Sequence, residues 1–130
     1  MTAKKRKRRW RVLPAAIVVS TGLLVLAGCL YVGNILPVAI FSANPTNGPS
    51  PLSVAFNASD SYDPDGTITA YVWDFGPSQT GASGVLVSHI FTVVGVATGP
   101  AQVFRVVLTV TDNDGGTDTA HRDITVTPPP

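Results

Sequence analysis

Three carboxylates crowd one short stretch. Asp60, Asp63 and Asp65 stand in Asp60–Gly66, which reads DSYDPDG. Hard oxygen ligands at close spacing suit calcium. Asp63 and Asp65 are the candidate ligands within it. A helix–loop–helix calcium loop does not fit. With Gly66 at the loop's sixth position, Val72 falls at the twelfth, where a bidentate Glu is needed. The competing assignment is structural. Pro64 fixes φ, Gly66 accepts φ > 0, and Asp side chains bond back to the turn's own N–H groups. Calcium is the one cofactor these residues suggest.

Other chemistry is sparse. His89 and His121 are too far apart to form a metal pair by local spacing, and neither has a Cys partner. The chain contains no Glu to act as a general base. No Gly-x-Ser-x-Gly nucleophile motif is present. Catalysis is not expected. Trp73 could stack on a sugar ring. Its alternation with Tyr71 and Phe75 instead makes it a core anchor.

Charge divides the chain sharply. Seven of the nine basic residues are Lys4, Lys5, Arg6, Lys7, Arg8, Arg9 and Arg11. Beyond them stand only Arg105 and Arg122, against all eight Asp residues. A near-neutral chain of net +1 is a basic tip on an acidic body. A basic run attracts phosphate, but the stretch behind it argues against nucleic acid. Val12–Leu36 carries no charged side chain. A basic run before an apolar stretch is the cytoplasmic flank of an exported or inserted segment.

Two versions of that segment stand side by side. Leu26-Ala27-Gly28-Cys29 resembles the bacterial lipobox, which implies cleavage before Cys29 and lipidation of its thiol. Alternatively, residues 12–33 form an uncleaved transmembrane helix, since about 20 residues suffice to cross the hydrocarbon. Trp10 and Tyr31 lie about 31 Å apart along such a helix, the spacing of the aromatic belts. Cys29 is the lone cysteine, so an internal disulfide is excluded. Both versions tie the body to a membrane and place it outside the cytoplasm.

The body must supply the elements that hold these residues. β-branched and turn residues dominate it, and no helical period appears after Gly33. Strands are predicted at Val38–Ala43, Leu52–Ala58, Thr67–Phe75, Val85–Val94, Val103–Asp112 and Thr117–Thr127. Alternation directs Phe104, Val106, Leu108 and Val110 inward, as it does Ala120, Ile124 and Val126. Asn44–Pro51, Gly76–Gly84 and Gly95–Pro100 read as connections, and Asn113–Gly116 as a hairpin turn. The expectation is an all-β, antiparallel sandwich of about seven strands behind one N-terminal hydrophobic helix. The predicted organisation is a basic tip (1–11), an anchor or signal segment (12–33), a linker (34–36), a sandwich (37–127) and a proline tail (128–130).

Several motifs stand in the order found in one family. They are Pro37–Ala43, Val54–Ala58, Ser61–Gly66, Trp73–Gly76, His89–Phe91 and Leu108–Gly116. In these the body resembles the PKD (polycystic kidney disease) domain. It departs from the family at Pro77, which follows Gly76, and in its longer segment between Phe91 and Phe104. The resemblance implies an immunoglobulin-like sandwich and a non-catalytic module of extracellular contact. The expected role is a membrane-anchored binding or adhesion module that contacts protein or polysaccharide. The alternative is an accessory subunit of a larger membrane complex. The resemblance also implies calcium binding near this turn in some members, here by Asp63 and Asp65 with Asn44 as a third ligand. The loops at Gly76–Gly84 and Gly95–Pro100 are the expected contact surface.

Overall fold

The computed structural model describes residues 33–93 and 98–130. The basic tip, the anchor or signal segment and Cys29 lie outside the described residues, apart from Gly33. Residues 32–130 group into one compact unit. Eight strands run in order: β1 Ser42–Asn44, β2 Asn47–Pro49, β3 Leu52–Asn57, β4 Ile68–Asp74, β5 Ala82–Ser83, β6 Leu86–Phe91, β7 Gln102–Asp112 and β8 Thr117–Thr127. They form two sheets, β1-β3-β6 and β2-β8-β7-β4-β5.

Period-two alternation explains the layers. On β3, Leu52, Val54 and Phe56 are buried while Ser53, Ala55 and Asn57 face out. On β7, Phe104, Val106, Leu108 and Val110 are buried. β8 adds Ile124 and Val126, and β4 adds Trp73. Aromatic rings fill the centre. Trp73 meets Phe41 edge-on at 5.0 Å and Phe56 at 5.4 Å. Every residue of this core lies between Phe41 and Val126. Residues 33–130 therefore carry their own hydrophobic core and can fold alone.

Three features depart from the expected strands. The predicted Val38–Ala43 strand is split. Val38 bridges to Tyr62, and regular pairing resumes only at Ser42. Ser61 causes the break, because its hydroxyl accepts from Ile40 N–H at 2.9 Å and donates to Ile40 O at 2.8 Å. A side chain thus takes the place of a ladder partner. Next, the Asn44–Pro51 connection contains β2, which runs parallel to β8. Thr125 N–H donates to Thr46 O and Ser50 N–H to Thr127 O, both at 2.9 Å. That pair makes the second sheet mixed. Finally, β5 lies inside the predicted Gly76–Gly84 loop and pairs with β4.

Candidate functional site

The carboxylates gather at one pole, where the β7–β8 hairpin meets the Asp63–Gly66 turn. Asp112 organises it. Gly115 has φ 87°, so the hairpin closes tightly. Asp112 Oδ1 accepts from Asp114 N–H at 2.8 Å and Gly116 N–H at 2.7 Å. Its Oδ2 accepts from Asn34 Nδ2 at 2.8 Å. Asn113 Oδ1 crosses to the neighbouring turn and accepts from Thr67 N–H at 2.7 Å. Asp65 Oδ2 accepts from Ile35 N–H at 3.1 Å. The residues expected as a linker, Asn34 and Ile35, are thereby bonded to the sandwich.

Asp63 is the odd member. Its Oδ1 accepts a long 3.4 Å bond from Asp65 N–H. Its Oδ2 is hidden from solvent and has no hydrogen-bond partner. A Cβ on Gly66 would lie 2.6 Å from that oxygen and would collide with Asn113 Oδ1. Two acceptor oxygens thus converge beside a residue that must be glycine. Loss of hydration pushes the Asp63 carboxyl above the ordinary carboxylate range. The charges of Asp65 and Asp112 push the same way, against the Asp65 N–H. Asp112 goes the other way. The Asn34 amide, joined by the hairpin N–H groups, holds it below that range against its desolvation.

The structure brings Asp63 and Asp65 together and leaves Asn44 elsewhere. Asn44 is the last residue of β1 and pairs with Ala55 of β3, whereas it is Val38, six residues earlier in the chain, that bridges to Tyr62 beside the turn. Asn34, Asp112 and Asn113 take the places beside the turn. Among the described residues, no three His, Cys, Asp or Glu side chains form a metal-holding group.

Asn44 instead lines a groove of about 530 Å³ on the outer face of the three-stranded sheet. Ser42, Asn57, Leu86 and Ser88 line it with Asn44, over Ala55 on the central strand. It contains amides, hydroxyls and aliphatic carbon, and no charge. Trp73 does not reach any surface, at 1% exposure. Its indole N–H donates to Gly84 O at 2.8 Å. His89 is also engaged. It stacks on Phe75 at 4.1 Å, and its Nε2 lies 2.9 Å from Gln79 Oε1. Burial lowers its pKa. His121 faces solvent. No nucleophile, base and orienting group meet in these contacts.

The two-sheet sandwich, with its packed indole and engaged His89, defines a small β module of the immunoglobulin-like class. Its sequence matches the family model of the PKD domain over residues 34–127. The chain belongs to the PKD domain family. It is 36% identical over 73 residues to collagenase ColA of Clostridium perfringens (strain 13 / Type A), covering 56% of this chain and 6% of that protein. It superposes on the PKD1 domain of Vibrio anguillarum Epp with a TM-score of 0.58 and 35% identity, covering 75% of this chain and all of that one. A third relative is a structure described as the basis for the promiscuous specificity of carbohydrate-binding modules from the β-sandwich superfamily. It matches with a TM-score of 0.63 and 34% identity, over 74% of this chain and 36% of that one.

Proposed function

We propose that the domain is a non-catalytic contact module, held outside the cytoplasm by the N-terminal segment, that binds an uncharged polymer through the groove on its three-stranded sheet. The groove carries this reading. Its hydroxyls and amides offer donors and acceptors without charge, which suits polysaccharide or the backbone of an extended protein. It offers no aromatic platform. Among the described residues the open aromatic side chain is Tyr62, 53% exposed and outside the groove. Affinity for a single sugar is therefore weak, and contact spreads along a chain. The relatives support a module of this kind, since they include a collagenase and a structure concerned with carbohydrate-binding modules. Membrane attachment rests on the sequence, on Lys4–Arg11 followed by a charge-free stretch. Among the described residues, no helix is long and apolar enough to cross a membrane.

Residues 33–130, tested against panels of polysaccharides and fibrous proteins, are expected to retain a subset of polymers. Ala55→Arg fills the groove floor from an exposed position. It is expected to reduce that retention about tenfold or more while leaving Tm within about 3 °C. Retention unchanged by Ala55→Arg would remove the groove from the account.

A second role has its own observation, the unpartnered Asp63 Oδ2. Asp63, Asp65 and Asn113 present oxygen donors of the kind calcium takes. Binding there offsets the lost hydration, and then the repulsion from Asp65 and Asp112, that raise the Asp63 pKa. Calcium at millimolar concentration is expected to raise Tm by several degrees, and Asp63→Asn to abolish the rise. A melt indifferent to calcium and to chelator would dispose of the site.

A further inference from the structure

The three-stranded sheet ends at β6. β3 and β6 pair in register from Leu52↔Phe91 to Asn57↔Leu86. Just beyond, Ala58 N–H donates to Val85 O at 2.9 Å. Bonded and non-bonded pairs alternate along an antiparallel ladder. Val85, Val87, His89 and Phe91 therefore turn their N–H and C=O groups toward β3. Leu86, Ser88 and Ile90 turn theirs to the open edge. Among the described residues those backbone groups have no hydrogen-bond partner.

The other edges are blunted. β5 has two residues, β1 has three, and β2 has three and ends in Pro49. β6 has six residues and contains no Pro, no Gly and no Asp, Arg or Lys. Its outward side chains are apolar at both ends, with Leu86 71% and Ile90 60% exposed. Lys is a common guard on such edges, and this chain has none after Lys7.

We propose that β6 is a self-association edge at which two copies of this chain pair antiparallel about Ser88. The strand is self-complementary about that residue. Ser88 lies opposite Ser88 of the second copy, and Leu86 lies opposite Ile90. The open N–H and C=O groups of all three residues are then paired in both copies. Leu86 and Ile90 gain an aliphatic cross-strand neighbour. Charge favours the same choice of partner. β1, β3 and β6 contain no carboxylate and no Lys or Arg, so a copy meets none of the repulsion an acidic body imposes elsewhere. Side chains on the outer sheet face stay free, so the two grooves come to lie side by side. One six-residue strand from each copy buries less than a standard interface. The pair is weak in free solution and gains from confinement.

The test uses residues 33–130, which contain no cysteine. Bonded antiparallel partners stand about 5.5 Å apart at Cα, within disulfide range. Under mild oxidation, Ser88→Cys is expected to form covalent dimer about tenfold faster than Ser53→Cys, an exposed site on the central strand. Adding Leu86→Lys and Ile90→Lys to Ser88→Cys should slow it to the Ser53→Cys rate, with Tm unchanged. Equal rates for the two cysteines, or a Ser88→Cys rate untouched by the lysines, would overturn the proposal. So would β6 amides that gain exchange protection only when an unrelated extended peptide is added, since the edge would then serve a foreign strand.

Discussion

Trp73→Ala is expected to cost about 3–5 kcal/mol, the usual range for truncating a buried Trp. Against a total stability of about 5–15 kcal/mol, that leaves the domain marginal. At about 4–8 °C per kcal/mol for a domain of this size, Tm falls by roughly 12–40 °C. The indole is 1% exposed and sits at the junction of both sheets. It touches Phe41 and Phe56, and it stacks parallel to Phe75 at 6.5 Å. Removing it opens a cavity that three rigid rings cannot collapse into. Trp73→Phe separates packing from hydrogen bonding, because it keeps a ring and deprives Gly84 O of its indole donor. That change is expected to cost about 1–3 kcal/mol. Val72→Ala, next in the chain but 51% exposed on the opposite face, should cost no more than about 0.5 kcal/mol. Urea melts followed by circular dichroism measure all three. Equal losses for Trp73→Ala and Val72→Ala would mean that the strand faces are assigned backwards.

That contrast also shows what the sequence made legible. β3, β4 and β7 each bury one face, so their side chains alternate and their inward residues can be read directly. β2 and β5 carry no such signal. Asn47-Gly48-Pro49 and Ala82-Ser83 have turn composition, and both pair only because a neighbouring strand offers an edge. The parallel β2–β8 pair depends on the chain crossing between sheets after β1, which local pattern does not encode. The split near Ile40 depends on Ser61, 21 residues away.

The carboxylate pole was legible in part. Asp63 and Asp65 announce themselves by spacing. Their neighbours Asn34, Asp112 and Asn113 arrive from distant stretches, joined by the fold. One signal pointed to Asp112. It continues the inward series Phe104, Val106, Leu108 and Val110, and it is 2% exposed. A carboxylate in line with a core face must find donors, and the Asn113–Gly116 hairpin supplies them. The groove had no comparable signal. Asn44, Asn57 and Ser88 lie on three different strands, and a short polar side chain on an outward face reads only as solvated. The loops at Gly76–Gly84 and Gly95–Pro100 stand out by composition, whereas the groove lies on the sheet.

Asp112 and Asp63 should respond to neutralisation with opposite signs. Asp112→Ala leaves Asp114 N–H, Gly116 N–H and Asn34 Nδ2 without their acceptor. A loss of more than about 5 °C in Tm at neutral pH is expected. Asp112→Asn keeps one acceptor oxygen but sets an amide against the Asn34 amide, so it too is destabilising. The Asp112 pKa is held below its unfolded value. The stability it brings is present above the ordinary Asp pKa of about 3.9 and is lost as pH falls through the lowered value. The Asp63 pKa is raised. Its contribution is therefore present below the ordinary value and is lost as pH rises through the raised one. At pH 7 in chelator, Asp63→Asn removes a poorly hydrated charge beside Asp65 and Asp112, and Tm should rise. Both differences should shrink as the medium is acidified. Melts of the two Asn variants from pH 7 to pH 3 make the comparison. Destabilisation by both at pH 7 in chelator would mean that Asp63 is held by donors as Asp112 is, and that its Oδ2 is not the strained atom of this pole.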